Sequence, residues 1–133
     1  MKKIILTVVV LLVTQLSIAQ DAFKNDVIKV LKASGSGAQM ELAKDQIKPM
    51  ISEDKFKEFS KEFDSSLPSL YDKMADVYME TYTHEEIKQM LKFYDSPVGK
   101  KITEKSSELT KKNLVAAQEW GKELQEIMMK YME

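Results

Sequence analysis

Cysteine and arginine are both missing from this chain of 133 residues, in which all 20 basic residues are lysines. Without cysteine there can be no disulfide, no zinc–thiolate site and no thiol nucleophile. Without arginine there is no forked guanidinium that could grip a phosphate or a carboxylate at two points. These absences exclude several classes of enzyme and metal-binding protein, and they leave packing alone to stabilise the fold.

Glycine and proline are scarce as well, with four and three residues, and no run of alternating β-branched residues indicates a strand. The segments between them carry apolar residues every three or four positions, which is typical of amphipathic helices. We therefore predict an all-α fold, a compact bundle of five to six amphipathic helices with a long C-terminal helix, in a single domain at residues 20–133. The predicted helices cover approximately residues 22–33, 38–48, 53–64, 67–82, 84–94 and 97–132.

The first 19 residues have the pattern of a secretory signal peptide. Two lysines precede an apolar run at residues 4–13, and small residues at Ser17 and Ala19 suit cleavage before Gln20. The alternative is a membrane anchor, which needs an apolar run of about 18 to 20 residues. The run at residues 4–13 is shorter than that, so we favour cleavage and expect no membrane span in the cleaved chain. The pattern predicts export and leaves periplasmic retention and secretion open.

Cleavage at this position would leave 18 lysines against 21 acidic residues, a net charge of −3. A surface of that sign repels the phosphate backbone of nucleic acids. We therefore expect no nucleic-acid partner.

Two helix-start signals lie in the C-terminal half of the chain. Residues 83–86, Thr-His-Glu-Glu, have the form of a capping box, and Ser-Pro at residues 96–97 is a common helix start. Residues 83–101 resemble the exported bacterial family called domain of unknown function 2059, in which a capped helix ends in Phe-Tyr before Ser-Pro, one residue and Gly-Lys. The resemblance covers about residues 74–131. It implies an all-helical fold and export, with the periplasm as the favoured compartment and secretion as the alternative, and it brings no activity. The matching positions, which we call the elbow, are Phe93, Tyr94, Ser96, Pro97, Gly99 and Lys100.

We interpret the elbow as structural. Phe93 and Tyr94 would anchor one helix in the core, Ser96 and Pro97 would start the next, and Gly99 would allow a close helix approach. The alternative is an anion site, in which amides at the start of the last helix act together with Lys100.

The last predicted helix is longer than a globule of this size is wide, at roughly 50 Å for residues 97–132. Its apolar residues form one stripe, so either the helix breaks near Gly121 or part of the stripe faces another chain. A second aromatic stripe runs along the preceding helices. The possible interaction surface that these stripes indicate comprises Tyr78, Tyr82, Trp120, Leu124 and Tyr131.

Residues with catalytic or ligand chemistry form no recognised motif. The one histidine, His84, is followed by Glu85 and Glu86. Neighbouring positions on a helix point to different sides, so His84 and Glu85 cannot easily bind one ion. We therefore predict that His84 is a solvated residue in a first helical turn. The C-terminal methionines, at 128, 129 and 132, could bind copper(I), but packing explains them better. We predict no catalytic residue, no metal site and no cofactor.

The function that these features favour is binding. We expect a non-enzymatic protein of the bacterial envelope whose amphipathic helical surface holds an unknown protein partner or a second copy of itself. The alternative is a carrier that holds a small apolar or lipid ligand in a helical groove.

Overall fold

The computed structural model describes residues 19–132, and nearly all of these residues are helical. Residues 19–33 form α1, followed by α2 (Ser36–Ile47), a short 3-10 turn (Lys48–Met50), α3 (Glu53–Thr81), α4 (His84–Asp95) and α5 (Pro97–Met129). The all-α class and the long C-terminal helix are confirmed. Most of the predicted signal peptide, residues 1–18, lies outside the described residues.

The core lies where α1, the C-terminal half of α3 and α4 meet. Its buried side chains are Val27, Val30, Leu31, Tyr71, Ala75 and Ile87. The three from α1 are spaced by three and one, which places them on one helical face as the sequence predicts. Burial of each large apolar side chain contributes roughly 1.5 to 3 kcal/mol, and partly buried side chains from the same helices, among them Phe23, Met74 and Leu91, pack around this cluster.

Contacts around the core fix the directions of the helices. Lys24, near the start of α1, lies 3.0 Å from Asp76 near the end of α3, so α1 and α3 run antiparallel. His84 at the start of α4 lies beside Asp26, whereas Tyr94 near its end lines a groove with Ala33. The helices α1 and α4 therefore run in the same direction, and α5 begins at the end of the core where α1 turns into α2.

The turn between α1 and α2 requires glycine. Gly35 has a φ of 95°, in the left-handed region that favours glycine. The hydroxyl of Ser36, a buried residue, donates to the Leu31 carbonyl at 2.6 Å, so the last turn of α1 is closed by a side chain. A Cβ atom on Gly35 would lie 2.9 Å from the Cβ of Ser106, because α5 crosses directly over this turn.

The third and fourth predicted helices are a single helix of 29 residues in the structure, α3. The predicted boundary between residues 64 and 67 is therefore wrong. Ser66, a residue type that often caps a helix start, does not cap one here, since its hydroxyl donates backward to the Phe63 carbonyl at 2.7 Å. Pro68 lies inside the helix and leaves the Asp64 carbonyl without its usual backbone donor.

Tertiary contacts on both sides of Pro68 stabilise α3 as one uninterrupted helix. On the N-terminal side, the Lys44 ammonium of α2 lies 2.9 Å from Asp64. On the C-terminal side, Tyr71 is buried in the core. Helix propensity alone would favour a break at this proline, whereas packing at both ends keeps the two halves in register.

Replacing Pro68 with alanine tests this account. Pro68→Ala restores a backbone hydrogen bond in mid-helix, and we expect a gain of about 1 to 2 kcal/mol in the free energy of unfolding, after the lost chain stiffness is subtracted. Urea denaturation followed by circular dichroism measures it. Pro97→Ala is the control. The first helical position needs no backbone amide donor, so a proline there costs no hydrogen bond and its replacement should give no gain in stability. A loss of stability in Pro68→Ala would show that the proline is required for the path of α3.

Candidate functional site

The elbow between α4 and α5 is organised by one side chain. The Ser96 hydroxyl donates to the Phe93 carbonyl at 2.6 Å and accepts from the Gly99 amide at 3.1 Å. The Lys100 amide donates to the Ser96 carbonyl at 2.9 Å. Ser96 thus ends one helix and caps the next, with Pro97 in the first helical position. These bonds occupy two of the amides on which an anion site at this helix start would depend.

Gly99 is buried because the two helices touch there through their backbones. A Cβ on Gly99 would lie 2.5 Å from the Cα of Tyr94 and would collide with the Phe93 carbonyl oxygen. No side chain fits between the helices at this point, which explains why the elbow contains glycine.

The elbow departs from the sequence-based prediction at Phe93. Tyr94 is half-buried and packs against the core, whereas Phe93 is 47% exposed. At about 100° per residue, Phe93 lies roughly 120° away from the buried Ile87 on α4. The prediction that both aromatic rings anchor the helix in the core is therefore wrong for Phe93, which faces solvent instead.

Gly99→Ala tests the close approach at the elbow. The added methyl group must push α5 away from α4, and we expect a loss of about 2 kcal/mol or more in the free energy of unfolding. Gly121→Ala is the matched control in the same helix, because nothing lies within 4 Å of a Cβ at that position. It should be neutral or stabilising by up to ~1 kcal/mol. Equal thermal unfolding midpoints for the two variants would contradict the account.

His84 is half-buried between α4 and α1, contrary to the prediction of a solvated side chain. Its ring stacks on Phe23 with centroids 4.8 Å apart, and its Nε2 lies 3.0 Å from Asp26 Oδ2. Sequence analysis missed this contact because Asp26 lies 58 positions away. Only the packing of α1 on α4 brings the two residues together.

The Asp26 carboxylate also accepts from Lys29 at 2.8 Å. Lys29, and after it His84, lower the pKa of Asp26 below its ordinary value. A histidine oriented by a carboxylate can act as the base that activates a nucleophile. The hydroxyl nearest to it in the sequence, that of Thr83, instead donates to Glu86 in the capping box. Within residues 19–132, no group of three histidine or acidic side chains could hold a metal ion. The geometry of the pair fits a tie between α1 and α4.

Asp26→Asn tests this tie through its pH dependence. Because the folded-state pKa of Asp26 is lowered, its contribution is full above the unfolded value of about 3.8 and is lost as the pH falls through the folded value. We expect the substitution to destabilise by about 1 kcal/mol at pH 7, and the difference from the wild type to shrink below about pH 4. Denaturation midpoints from pH 2.5 to 7 measure it. Asp45→Asn, at an exposed site, is the control and should leave the stability unchanged. A stability difference between Asp26→Asn and the wild type that stays constant with pH would argue against the tie between α1 and α4.

The predicted interaction residues do not converge. Tyr78 is half-buried against the core and its ring lies 5.6 Å from that of Tyr82, at the junction of α3 and α4. Trp120 and Leu124 lie in the second half of α5, and Tyr131 lies just beyond its end. Because α5 starts at the opposite end of α4 from Tyr82, the structure separates these residues into two groups.

The helix α5 is attached to the bundle by its first turns. The Thr103 hydroxyl donates to the Ala33 carbonyl at 2.7 Å, and Ser106 lies against Gly35. Within residues 111–132, only Leu114 and Leu124 are half-buried and every other residue is exposed. The helix does not break at Gly121, so its second half projects as a continuous helix.

One apolar face therefore runs along the outside of α5. We define the α5 face as Val98, Ile102, Leu109, Ala116, Trp120, Leu124 and Ile127. Trp120 is 59% exposed and Ile127 is 48% exposed. Near its start, a shallow groove of about 300 Å³ is lined by Val98, Ile102 and Leu109. Large apolar surface of this kind is typical of an interaction site.

A second groove, between α1, α4 and α5, has a volume of about 460 Å³. Ala33, Leu91 and Tyr94 form its apolar part, and charges of both signs line the rest. The groove opens to solvent, so it is a surface depression and would cover an apolar ligand only in part.

Residues 69–126 match the family described as "Uncharacterized protein conserved in bacteria (DUF2059)". This match confirms the resemblance inferred from the elbow, and it covers the C-terminal half of α3, all of α4 and most of α5. No curated protein and no solved structure matches the chain. Among the helices within residues 19–132, none has both the length and the apolar character needed to cross a bilayer.

Proposed function

We propose that this member of the bacterial DUF2059 family is exported to the cell envelope and acts by binding another polypeptide through the α5 face. The single observation that carries the proposal is that the second half of α5 is continuous, amphipathic and exposed. The binding role is non-enzymatic.

The energetics of α5 support a binding role. A helix of this kind derives most of its stability in water from packing of its apolar face. The second half of α5 has almost no such packing within the described chain, yet it carries a tryptophan and an isoleucine on one face. A partner that covers this face would supply the missing burial, with tryptophan as the residue type that most often dominates such interfaces.

The position of the face favours a polypeptide partner over a small ligand. The α5 face extends along a helix of 33 residues, about 50 Å, and its second half is exposed to solvent. Apolar ligands are held in concave sites that bury most of their surface. A carrier function would instead depend on the open groove beside Leu91, and it stays the alternative.

Export is supported by the sequence of residues 1–19. A short apolar run behind two lysines, with small residues before Gln20, is the pattern that signal peptidase recognises. The periplasm is the proposed compartment, with secretion as the alternative.

A photo-crosslinking amino acid at position 120, in the full chain expressed in its native bacterium, tests the proposal. We expect the envelope fraction to contain the chain with Gln20 as its first residue. We also expect irradiation to give one discrete covalent adduct, because Trp120 lies in the middle of the second half of the α5 face. Mass spectrometry identifies both products. Val77 is the control position, since it is also exposed and apolar but lies on α3; crosslinking there should give no matching adduct.

Three outcomes would contradict the proposal. A chain that keeps residues 1–19 and remains in the cytoplasm would rule out export. The absence of any adduct at position 120, or the same adducts at positions 77 and 120, would rule out a specific α5 partner. Native mass spectrometry showing a bound small molecule on a monomer would favour the carrier alternative.

A further inference from the structure

The apolar residues of the α5 face are arranged symmetrically along the helix. Leu109 and Ala116 are equally far from a midpoint between residues 112 and 113, and so are Val98 and Ile127. Ile102 and Leu124 have their midpoint at residue 113. Reversing the direction of α5 about this midpoint therefore superimposes six of the seven residues of the α5 face on one another. Trp120 is the exception, because its counterpart is Lys105.

Charged residues along one flank of the α5 face are mostly lysine in the first half of the helix and glutamate in the second half. At about 100° per residue, seven charged residues share this flank, namely Lys101, Lys105, Glu108, Lys112, Glu119, Glu123 and Glu126. Within the helix, Glu108 accepts from Lys105 at 2.9 Å and from Lys112 at 2.7 Å. Lys101 and Glu123 are equally far from residue 112, as are Lys105 and Glu119. Reversal about residue 112 thus places Lys101 and Lys105 at the positions of glutamates, whereas Lys112 meets its own copy.

We propose that the occupant of the α5 face is a second copy of this chain, with the two α5 helices packed antiparallel about a two-fold axis near residues 112 and 113. This inference rests on the proposed function, because it assigns the partner of the same face. In such an isologous pair the same flank of each helix meets its copy in the opposite direction. Lys101 then faces Glu123, Lys105 faces Glu119, and the apolar residues of the α5 face other than Trp120 face one another.

The opposite direction of packing is disfavoured by the same charges. In a parallel pair, residues of equal number lie at the same height, so the lysine-rich halves of both helices come together and so do the glutamate-rich halves. Like charges at neighbouring positions destabilise helix pairs, and complementary flank charges set their orientation.

The attachment of α5 to its own bundle is compatible with this pairing. Thr103 and Ser106 contact the α1–α2 turn from the flank opposite the charged one. The residues that continue this bundle-facing flank into the second half of α5 carry no charge; they are Leu114, Ala117, Gly121 and Met128. In the antiparallel pair they lie beside the bundle of the other copy, where small and apolar side chains can approach closely. The two bundles lie at opposite ends of the paired helices.

A charge-reversal cycle tests the pairing. Sedimentation equilibrium and light scattering on the chain as recovered from the envelope should show a dimer. Lys105→Glu and Glu119→Lys each place like charges opposite one another twice per dimer, and we expect each to weaken dimerisation roughly tenfold at low salt. The double variant Lys105→Glu with Glu119→Lys should return to within about threefold of the wild type. Lys57→Glu, an equal change on the exposed surface of α3, should have no effect.

Cysteine crosslinking tests the direction, since the chain has no cysteine of its own. When Leu109→Cys and Ala116→Cys are mixed with different tags, we expect a disulfide between the two variants, because these positions face each other in the antiparallel pair. Each variant alone should form little disulfide, because its own copies lie about 10 Å apart along the axis, beyond disulfide reach. Efficient self-crosslinking of Ala116→Cys, or no rescue in the charge cycle, would overturn the antiparallel dimer.

The outcomes separate this inference from the proposed function. A wild-type monomer whose position 120 still gives one discrete adduct with a different protein would overturn the dimer and leave the binding role intact. A monomer that gives no adduct at position 120 would overturn both. Circular dichroism of each variant identifies any loss of dimer that follows from unfolding.

Discussion

The contact of the α4 and α5 backbones at Gly99 is the constraint on which the rest of the molecule depends. Because no side chain fits between Gly99 and Tyr94, the angle between the two helices is set by backbone atoms and by the Ser96 cap. That angle carries α5 across the α1–α2 turn, where Gly35 again leaves room for close passage. From there, the first half of α5 is held and the second half is carried away from the core. The exposed α5 face is thus a consequence of the elbow.

The small core explains why so much of the apolar surface is left for other uses. Six buried side chains at the junction of α1, α3 and α4 organise the bundle, and α5 contributes only Gly99 to the buried residues. A long helix that supplies little to the core of its own chain can be adapted for a partner without loss of the fold. Three apolar pairs and two lysine–glutamate pairs of α5 are arranged about residues 112 and 113, and the proposed contact with an identical helix rests on this arrangement.

Polar side-chain pairs join the helices of the bundle. Lys24 with Asp76, Lys44 with Asp64 and His84 with Asp26 each join elements that are far apart in the sequence. These pairs are partly exposed, so each contributes modestly. Their role is to select one arrangement of helices whose apolar faces alone would tolerate several. In a chain without arginine or disulfides, lysine and histidine contacts perform this selection.

Part of the fold follows from interactions between residues that are close together in the chain. The apolar spacing of α1, the capping box at Thr83 and the Ser96–Pro97 start are short-range patterns, and they predicted the all-α class and most helix boundaries. Tertiary packing decided the rest, because it depends on residues far apart in the chain: contacts on both sides of Pro68 made α3 one helix, α1 brought Asp26 to His84, and the orientation of α4 left Phe93 in solvent. The separation of Tyr78 and Tyr82 from Trp120 has the same origin, since the angle at Gly99 sends α5 away from the end of the bundle where those tyrosines lie.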